Sequence, residues 1–359
     1  MIRRICIFTG AVLFLLGGFV MVCQFYSYAQ LSKGFSPALP PAGLSLTPEL
    51  QAFQFAAYGD FRSWVEALEQ ITQTISESQA AFIFCLGDMV HRHTTLDFHH
   101  VLQEMREHLS LPLYAVPGNH DKSDSNGWGL YRSFFGQDYY FFGYGDTLFI
   151  ALNTADSDLP AAQQSFLRET LAREWIKYAR CVIVCHVPPV DPRPEGSQCM
   201  EEEAVEIFRE IIEPYRIDLI ISGHLHQYAD LEFAGTRLVI VPSAGQEIRD
   251  PENKMFGCVL FSFEQNGNIT VTQYDVAAYT SMEELEYFLS VEICRIGWVI
   301  GGLTAVIVGL LTLFCGMLGN TKFARIVSRG VLPPQTSRKQ PARSVRNVAV
   351  VRFRNFNCR

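Results

Sequence analysis

Five apolar runs, each stopping at a short polar patch, constrain this chain more than any other feature. They are Gln54 to Tyr58 before Gly59-Asp60, Phe82 to Leu86 before Gly87-Asp88, Leu113 to Val116 before Gly118-Asn119-His120-Asp121, Cys181 to Cys185 before His186, and Leu219 to Ser222 before Gly223-His224-Leu225-His226. Continuous apolar runs of this length are what buried parallel strands require, since both faces are covered. In an open α/β sheet the carboxyl ends of the strands border the crevice where ligands bind, so the five patches are expected to meet there.

Together the patches offer two carboxylates, one amide oxygen and three imidazoles. That mixed oxygen and nitrogen set suits Mn, Fe or Zn better than Ca or a closed structural Zn site. Six ligands exceed what one catalytic ion with an open position takes, and they suit two ions sharing a carboxylate. No Gly-x-Ser-x-Gly and no Gly-x-x-x-x-Gly-Lys-Ser/Thr motif competes for the chemistry.

In their order and spacing these residues resemble the calcineurin-like metallophosphoesterase superfamily, which includes the purple acid phosphatases; the resemblance spans about Phe53 to Val276, with Gly-Asn-His-Asp and Gly-His-Leu-His as its most specific pair. The resemblance implies a four-layer αββα sandwich, two mixed β-sheets flanked by helices. It implies a pair of divalent or mixed-valence ions (Mn, Fe or Zn), with Asp88 between them, Asp60 and His226 on the first, and Asn119, His186 and His224 on the second. His120 would face the substrate and stabilise charge or protonate the leaving oxygen, with Asp121 orienting its ring. The implied reaction is hydrolysis of a phosphomonoester, phosphodiester or pyrophosphate by a water activated between the ions.

One position departs from the family pattern. The superfamily usually begins Asp-x-His, but here Asp60-Phe61-Arg62 places an arginine where a ligand is expected. In purple acid phosphatases a tyrosine three residues after the bridging aspartate takes that place, and the same count from Asp88 lands on His91. Two readings of His91 stay open: a metal ligand, or one of the solvated or capping residues of a stretch that also holds His93, His99 and His100. For Arg62 the choice lies between a bidentate phosphate clamp and a surface pair with Glu66 at i+4.

Further residues carry weaker expectations. The proline-rich loop after His186 should form a stiff rim, in which Arg193 either reads substrate or makes a surface ion pair. Trp128 is expected to pack, and Tyr139 to Phe142 to form a buried strand without chemistry. Helices are expected around 63–78, 96–109, 161–178 and 201–214. Strands near 229–233, 238–241, 258–263 and 269–274 should form a second sheet, with Asn266-Gly267 as a hairpin turn.

The ends of the chain point to a membrane. Residues 5–32 carry no charge and follow Arg3-Arg4; the 19 residues Ile5 to Cys23 match a signal anchor or a long signal-peptide core with a small-x-small site at Ser27-Tyr28-Ala29. Residues 296–321 are a second uncharged stretch, long enough to cross a bilayer. Beyond Asn320 the tail has 10 Lys or Arg and no acid, whereas residues 30–295 hold 17 Lys or Arg against 37 Asp or Glu. By the positive-inside tendency both ends stay cytoplasmic and the acidic domain is translocated to a periplasm, outer surface or lumen.

That acidity excludes a basic stripe for nucleic acid on the globular part. The ten cysteines give no readable disulfide framework: several lie in apolar segments, and Cys181 and Cys185, on one strand face, stand about 13 Å apart. The organisation expected is an anchor or signal over 1–29, a linker over 30–50, a metallophosphoesterase domain over 51–280, a juxtamembrane helix over 281–295, a transmembrane helix over 296–319 and a basic tail over 320–359. The sequence assigns no oligomeric state. Three readings of function follow: a membrane-tethered phosphoesterase, a lipid-linked pyrophosphatase of the cell envelope, or a binding or scaffolding protein that lost a metal site at Arg62.

Overall fold

The computed structural model describes residues 2–31, 51–62, 65–123, 126–194, 196–246, 256–276 and 296–318. The chain divides into two compact units, one built from the two ends of the chain and one spanning residues 33–291. The expected juxtamembrane helix and the basic tail lie outside the described residues.

The larger unit contains two mixed sheets. The first runs β11-β10-β1-β2-β3, from Ile269–Val276, Phe256–Phe263, Phe53–Tyr58, Ala80–Cys85 and Leu113–Ala115. The second runs β4-β5-β6-β7-β9-β8, from Tyr140–Tyr144, Thr147–Ala151, Arg180–Val184, Leu219–Ser222, Thr236–Ile240 and Ala229–Phe233. β1, β2 and β3 are parallel, as are β5, β6, β7 and β9, so the strands that end in polar patches point their carboxyl ends the same way within each sheet.

The sheets pack face to face on an aromatic layer that includes Phe55, Phe82, Phe84, Phe149 and Phe261, all fully buried. Phe55 lies between Phe82 and Phe261, with ring centroids 5.2 and 5.0 Å away. Each such ring contributes roughly 1.5–3 kcal/mol by leaving water. The outer face of the first sheet is covered by α2 (Val65–Ser76), α3 (Thr95–His108) and α4 (Gly129–Phe135), and that of the second by α5 (Ala161–Glu174) and α6 (Glu202–Ile212). The result is the four-layer αββα sandwich. In α6, Ala204, Val205, Phe208, Ile211 and Ile212 form the buried stripe, while Glu202 and Glu203 at the start and Arg209 near the end complement the helix dipole.

Two expectations need correction. The four C-terminal strands do not form a sheet of their own: β8 and β9 extend the second sheet, whereas β10 pairs antiparallel with β1 and carries β11 with it. β10 is buried along nearly its whole length, which an inserted central strand requires and an edge strand does not. Tyr140–Tyr144 is likewise an edge strand, with Phe141 41% exposed, rather than a buried one. The turn at Asn266-Gly267 does close the β10–β11 hairpin, with Gly267 at φ 89°.

The smaller unit pairs α1 (Ile2–Leu31) with α7 (Ile296–Leu318). Their backbones approach at glycines seven residues apart on each helix: a Cβ on Gly10 would lie 2.9 Å from the carbonyl oxygen of Gly309, and one on Gly17 would lie 2.6 Å from that of Gly302. The pairing is therefore antiparallel, along a small-residue seam of the kind that lets apolar helices associate closely. Within α1, Arg4–Phe25 is long and apolar enough to cross a membrane by length and composition.

Candidate metal centre

Each polar patch begins where its strand stops, and at three of the five, those holding Asp60, Asp88 and His224, the backbone turns through the left-handed region. Of the seven non-glycine residues with positive φ among the described residues, five are Asp60, Arg62, Asp88, His224 and His226. That conformation is costly for residues with a Cβ, and it recurs at sites where side chains must be thrown to one point. Gly87 and Gly118 let two of the loops touch: a Cβ on either would overlap the other loop's backbone.

Hydrogen bonds lock the loops together. The N–H of Asp60 donates to Gly87 O at 2.9 Å and that of Arg62 to Asp88 O at 2.8 Å. Across the two sheets, the N–H of His224 donates to Oδ2 of Asp60 at 2.9 Å. Ser243 at the end of β9, which sequence reasoning missed, donates through Oγ to the carbonyl of Asp60 at 2.9 Å. Its signal was available, since Leu238 to Val241 is another apolar run ending in a polar turn.

The structure brings Asp60, Asp88 and His186 to within 4.8 Å of one another by their ligand atoms. Nε2 of His186 lies 3.2 Å from Oδ1 of Asn119, 3.2 Å from Nδ1 of His224 and 3.4 Å from Oδ1 of Asp88. Nδ1 of His186 is hydrogen-bonded to the carbonyl of Leu86 at 2.6 Å, so it carries the proton and leaves the Nε2 lone pair facing the other three atoms. With His224 in its Nε2–H tautomer, the lone pairs gathered around Nε2 of His186 repel unless a cation lies among them. Ligands about 2.1 Å from a tetrahedral ion stand about 3.4 Å apart, which matches the observed spacings. The donor set therefore fits a divalent metal.

On the other flank, Nε2 of His226 is 3.5 Å from Oδ1 of Asp60, a buried oxygen with no closer hydrogen-bond partner among the described residues. Burial alone would raise Asp60, but the hydrogen bond from His226 and the neighbouring imidazoles outweigh it and hold the carboxyl far below its ordinary value. His224 is lowered to about 4, by burial first and then by His186. Both shifts leave the forms that ligate metal, carboxylate and neutral imidazole.

His120 stands at the edge with its side chain 33% exposed and Nε2 4.0 Å from Oδ2 of Asp88. Its main-chain N–H donates to Oδ1 of Asp88 at 2.9 Å. Burial lowers its pKa, with Asp88 opposing and Arg62 reinforcing the shift.

Two site residues differ from expectation. Asp121 was expected to orient the His120 ring; its oxygens instead accept main-chain N–H groups from Met89 at 2.9 Å, Val90 at 3.2 Å and Gly118 at 2.8 Å, making it a brace for the loops that carry Asp88 and Asn119. Arg62 lies on Asp88, with Nε and Nη2 each 3.2 Å from Oδ2, rather than standing free to clamp a phosphate. His91 sits half-buried in the loop after β2 and is not part of the group formed by Asp60, Asp88 and His186. Arg193, too, is held within its loop, by Asp191 at 2.6 Å and Gln198 at 3.0 Å.

A family profile described as calcineurin-like phosphoesterase matches residues 52–228. A "Probable cyclic nucleotide phosphodiesterase" of Vesicomyosocius okutanii subsp. Calyptogena okutanii (strain HA) is 23% identical over 210 residues, covering 57% of this chain and 86% of its own length. Among solved structures, purple acid phosphatase PPD1 from yellow lupin seeds is similar with a TM-score of 0.49 at 16% identity over 66% of this chain; the chain spans 56% of that structure. A dimetal phosphatase from Danio rerio gives a TM-score of 0.46 at 13% identity, covering 63% of this chain and 99% of its own.

Proposed function

The chain belongs to the calcineurin-like phosphoesterase family, and on that premise we propose that it is a membrane-tethered, metal-dependent hydrolase of phosphate esters or pyrophosphates. The observation that carries this reading is the approach of Asn119, His224 and Asp88 to Nε2 of His186, at 3.2, 3.2 and 3.4 Å, beside Asp60, whose ligand atom lies within 4.8 Å of those of Asp88 and His186. Asp88, Asn119, His186 and His224 would hold a divalent ion, and Asp60 and His226 offer further donors on the other side of Asp88. Such an ion lowers the pKa of water and clamps phosphoryl oxygens.

The protein's own groups do the rest. The buried Leu86 carbonyl keeps the proton of His186 on Nδ1. His120, its side chain 33% exposed, delivers a proton to the leaving oxygen as water attacks phosphorus and the P–O ester bond breaks. The two left-handed turns at Asp60 and Asp88 hold these groups in register before substrate arrives. Tethering rests on Arg4–Phe25 and its antiparallel partner α7, with the acidic domain outside the cytoplasm as the charge split favours.

The test uses the full-length chain in detergent, loaded with Mn²⁺ and assayed on generic monoesters, on diesters including cyclic nucleotides, and on pyrophosphates, beside Asp88→Asn. Turnover lost in the variant supports the hydrolase. Turnover unchanged in the variant points to a contaminant, and metal binding without turnover on any of these substrates favours the scaffolding alternative.

A further inference from the structure

We propose that the centre keeps one resident divalent ion, on the Oδ1 side of Asp88, and that the guanidinium of Arg62 supplies the second positive charge on the Oδ2 side. The inference rests on the metal-centre reading above and assigns its stoichiometry.

The two oxygens of Asp88 have different company. Oδ1 accepts the N–H of His120 at 2.9 Å and lies 3.4 Å from Nε2 of His186, among the converging donors. Oδ2 lies 3.2 Å from both Nε and Nη2 of Arg62. Backbone geometry puts Arg62 there before its side chain begins, because its N–H donates to the carbonyl of Asp88 at 2.8 Å and its φ is 42°. The side chain is 17% exposed against a fully buried carboxylate, so solvent screens the pair little.

A guanidinium stays protonated and has no lone pair to give a metal. It therefore fills the charge requirement on that side of Asp88 while withholding a ligand. What remains for a second ion is poor. Oδ2 of Asp60 already accepts the N–H of His224 at 2.9 Å, leaving Oδ1 of Asp60 and Nε2 of His226. Those two donors face a fixed positive charge, whereas the donors gathered around Nε2 of His186 have, among the described residues, no Lys or Arg paired with them.

The experiment takes the full-length chain in detergent, strips it with a chelator, reloads it with excess Mn²⁺ and removes the unbound ion. Metal per chain is read by elemental analysis, and the spin state of the bound ions by electron paramagnetic resonance. The wild type is expected to hold one ion with an uncoupled Mn²⁺ signal. Arg62→His, which exchanges the charge for a ligand, is expected to hold two with an exchange-coupled signal. Two coupled ions in the wild type would overturn the inference and leave the hydrolase reading intact, as would a folded Arg62→His that gains no second ion. No retained ion in either protein would overturn the metal-centre reading as well. Should Arg62→His fail to fold, the wild-type stoichiometry and signal decide alone.

Discussion

His186, carried by the second sheet, hydrogen-bonds through Nδ1 to the carbonyl oxygen of Leu86 on the first, at 2.6 Å. One contact thus joins the two sheets at the end where their polar patches meet and also selects the ring nitrogen left for a metal. His186→Ala removes both, so retained metal should fall by more than about 100-fold with activity lost alongside, a larger effect than removal of an outer partner gives. Titration of the stripped variant with Zn²⁺ checks this; wild-type affinity would remove His186 from the ligand set.

Asp121 should behave as a brace. Asp121→Ala leaves the buried N–H groups of Met89, Val90 and Gly118 without their acceptor, which is expected to cost about 2–4 kcal/mol of stability. Because the loops it holds carry Asp88 and Asn119, metal affinity should weaken while the leaving-group dependence of turnover stays as in the wild type. A direct role in orienting His120 would instead change that dependence, which a series of aryl phosphates reads.

Stability should fall in acid through histidines that fold neutral. His100 on α3 is lowered from 6.5 to about 4 by burial. A group whose native pKa is depressed gives stability that is fully present above the unfolded value and lost as pH falls from 6.5 towards 4, on the order of 1–3 kcal/mol. Asp121 has the opposite sign: burial and then the charge of Asp88 raise it to about 7, so its contribution is present below 3.8 and lost as pH rises towards 7. Denaturant unfolding of the metal-free wild type and of His100→Gln, compared pH by pH, isolates the first term. The variant should show a flatter slope between pH 4 and 6.5, and equal slopes would contradict the assignment.

The glycine seam of the terminal helices makes a covalent prediction. A Cβ on Gly302 would stand 3.2 Å from Cβ of Val20, close to the roughly 3.5–4.5 Å found across disulfides. Val20→Cys with Gly302→Cys should cross-link within one chain under mild oxidation, as read by peptide mass mapping. Adding Gly17→Leu, whose side chain must displace the backbone at Gly302, should abolish the link.

Much of this was legible because strand ends carry their own punctuation. Asp60, Asp88, Asn119, His186, His224 and His226 follow apolar runs, and their types and order announce the chemistry. Less legible was whatever depends on pairing across long separations. β10 meets β1 about two hundred residues away, with Phe261 opposite Phe55, and no local pattern distinguishes that partner from a neighbouring hairpin. β5 and α4 were missed because Thr147–Ala151 and Gly129–Phe135 are short and lack strong boundary signals. Asp121 and Arg62 were misread for a related reason. Adjacency to His120 suggested one partner for Asp121, whereas the amides of Met89 and Val90 arrive from another loop. The charge of Arg62 suggested a phosphate, whereas the left-handed turn at residue 62 delivers it to Asp88.

The central claim is that four side chains, from four strand-end loops, share one divalent ion, and X-ray absorption at the zinc edge reads it most directly. With one equivalent of Zn²⁺ on the full-length chain, the account predicts a light-atom shell at about 2.0–2.2 Å with outer scattering from two imidazoles. A shell of sulfur at about 2.3 Å, or of oxygen without imidazole scattering, would contradict it.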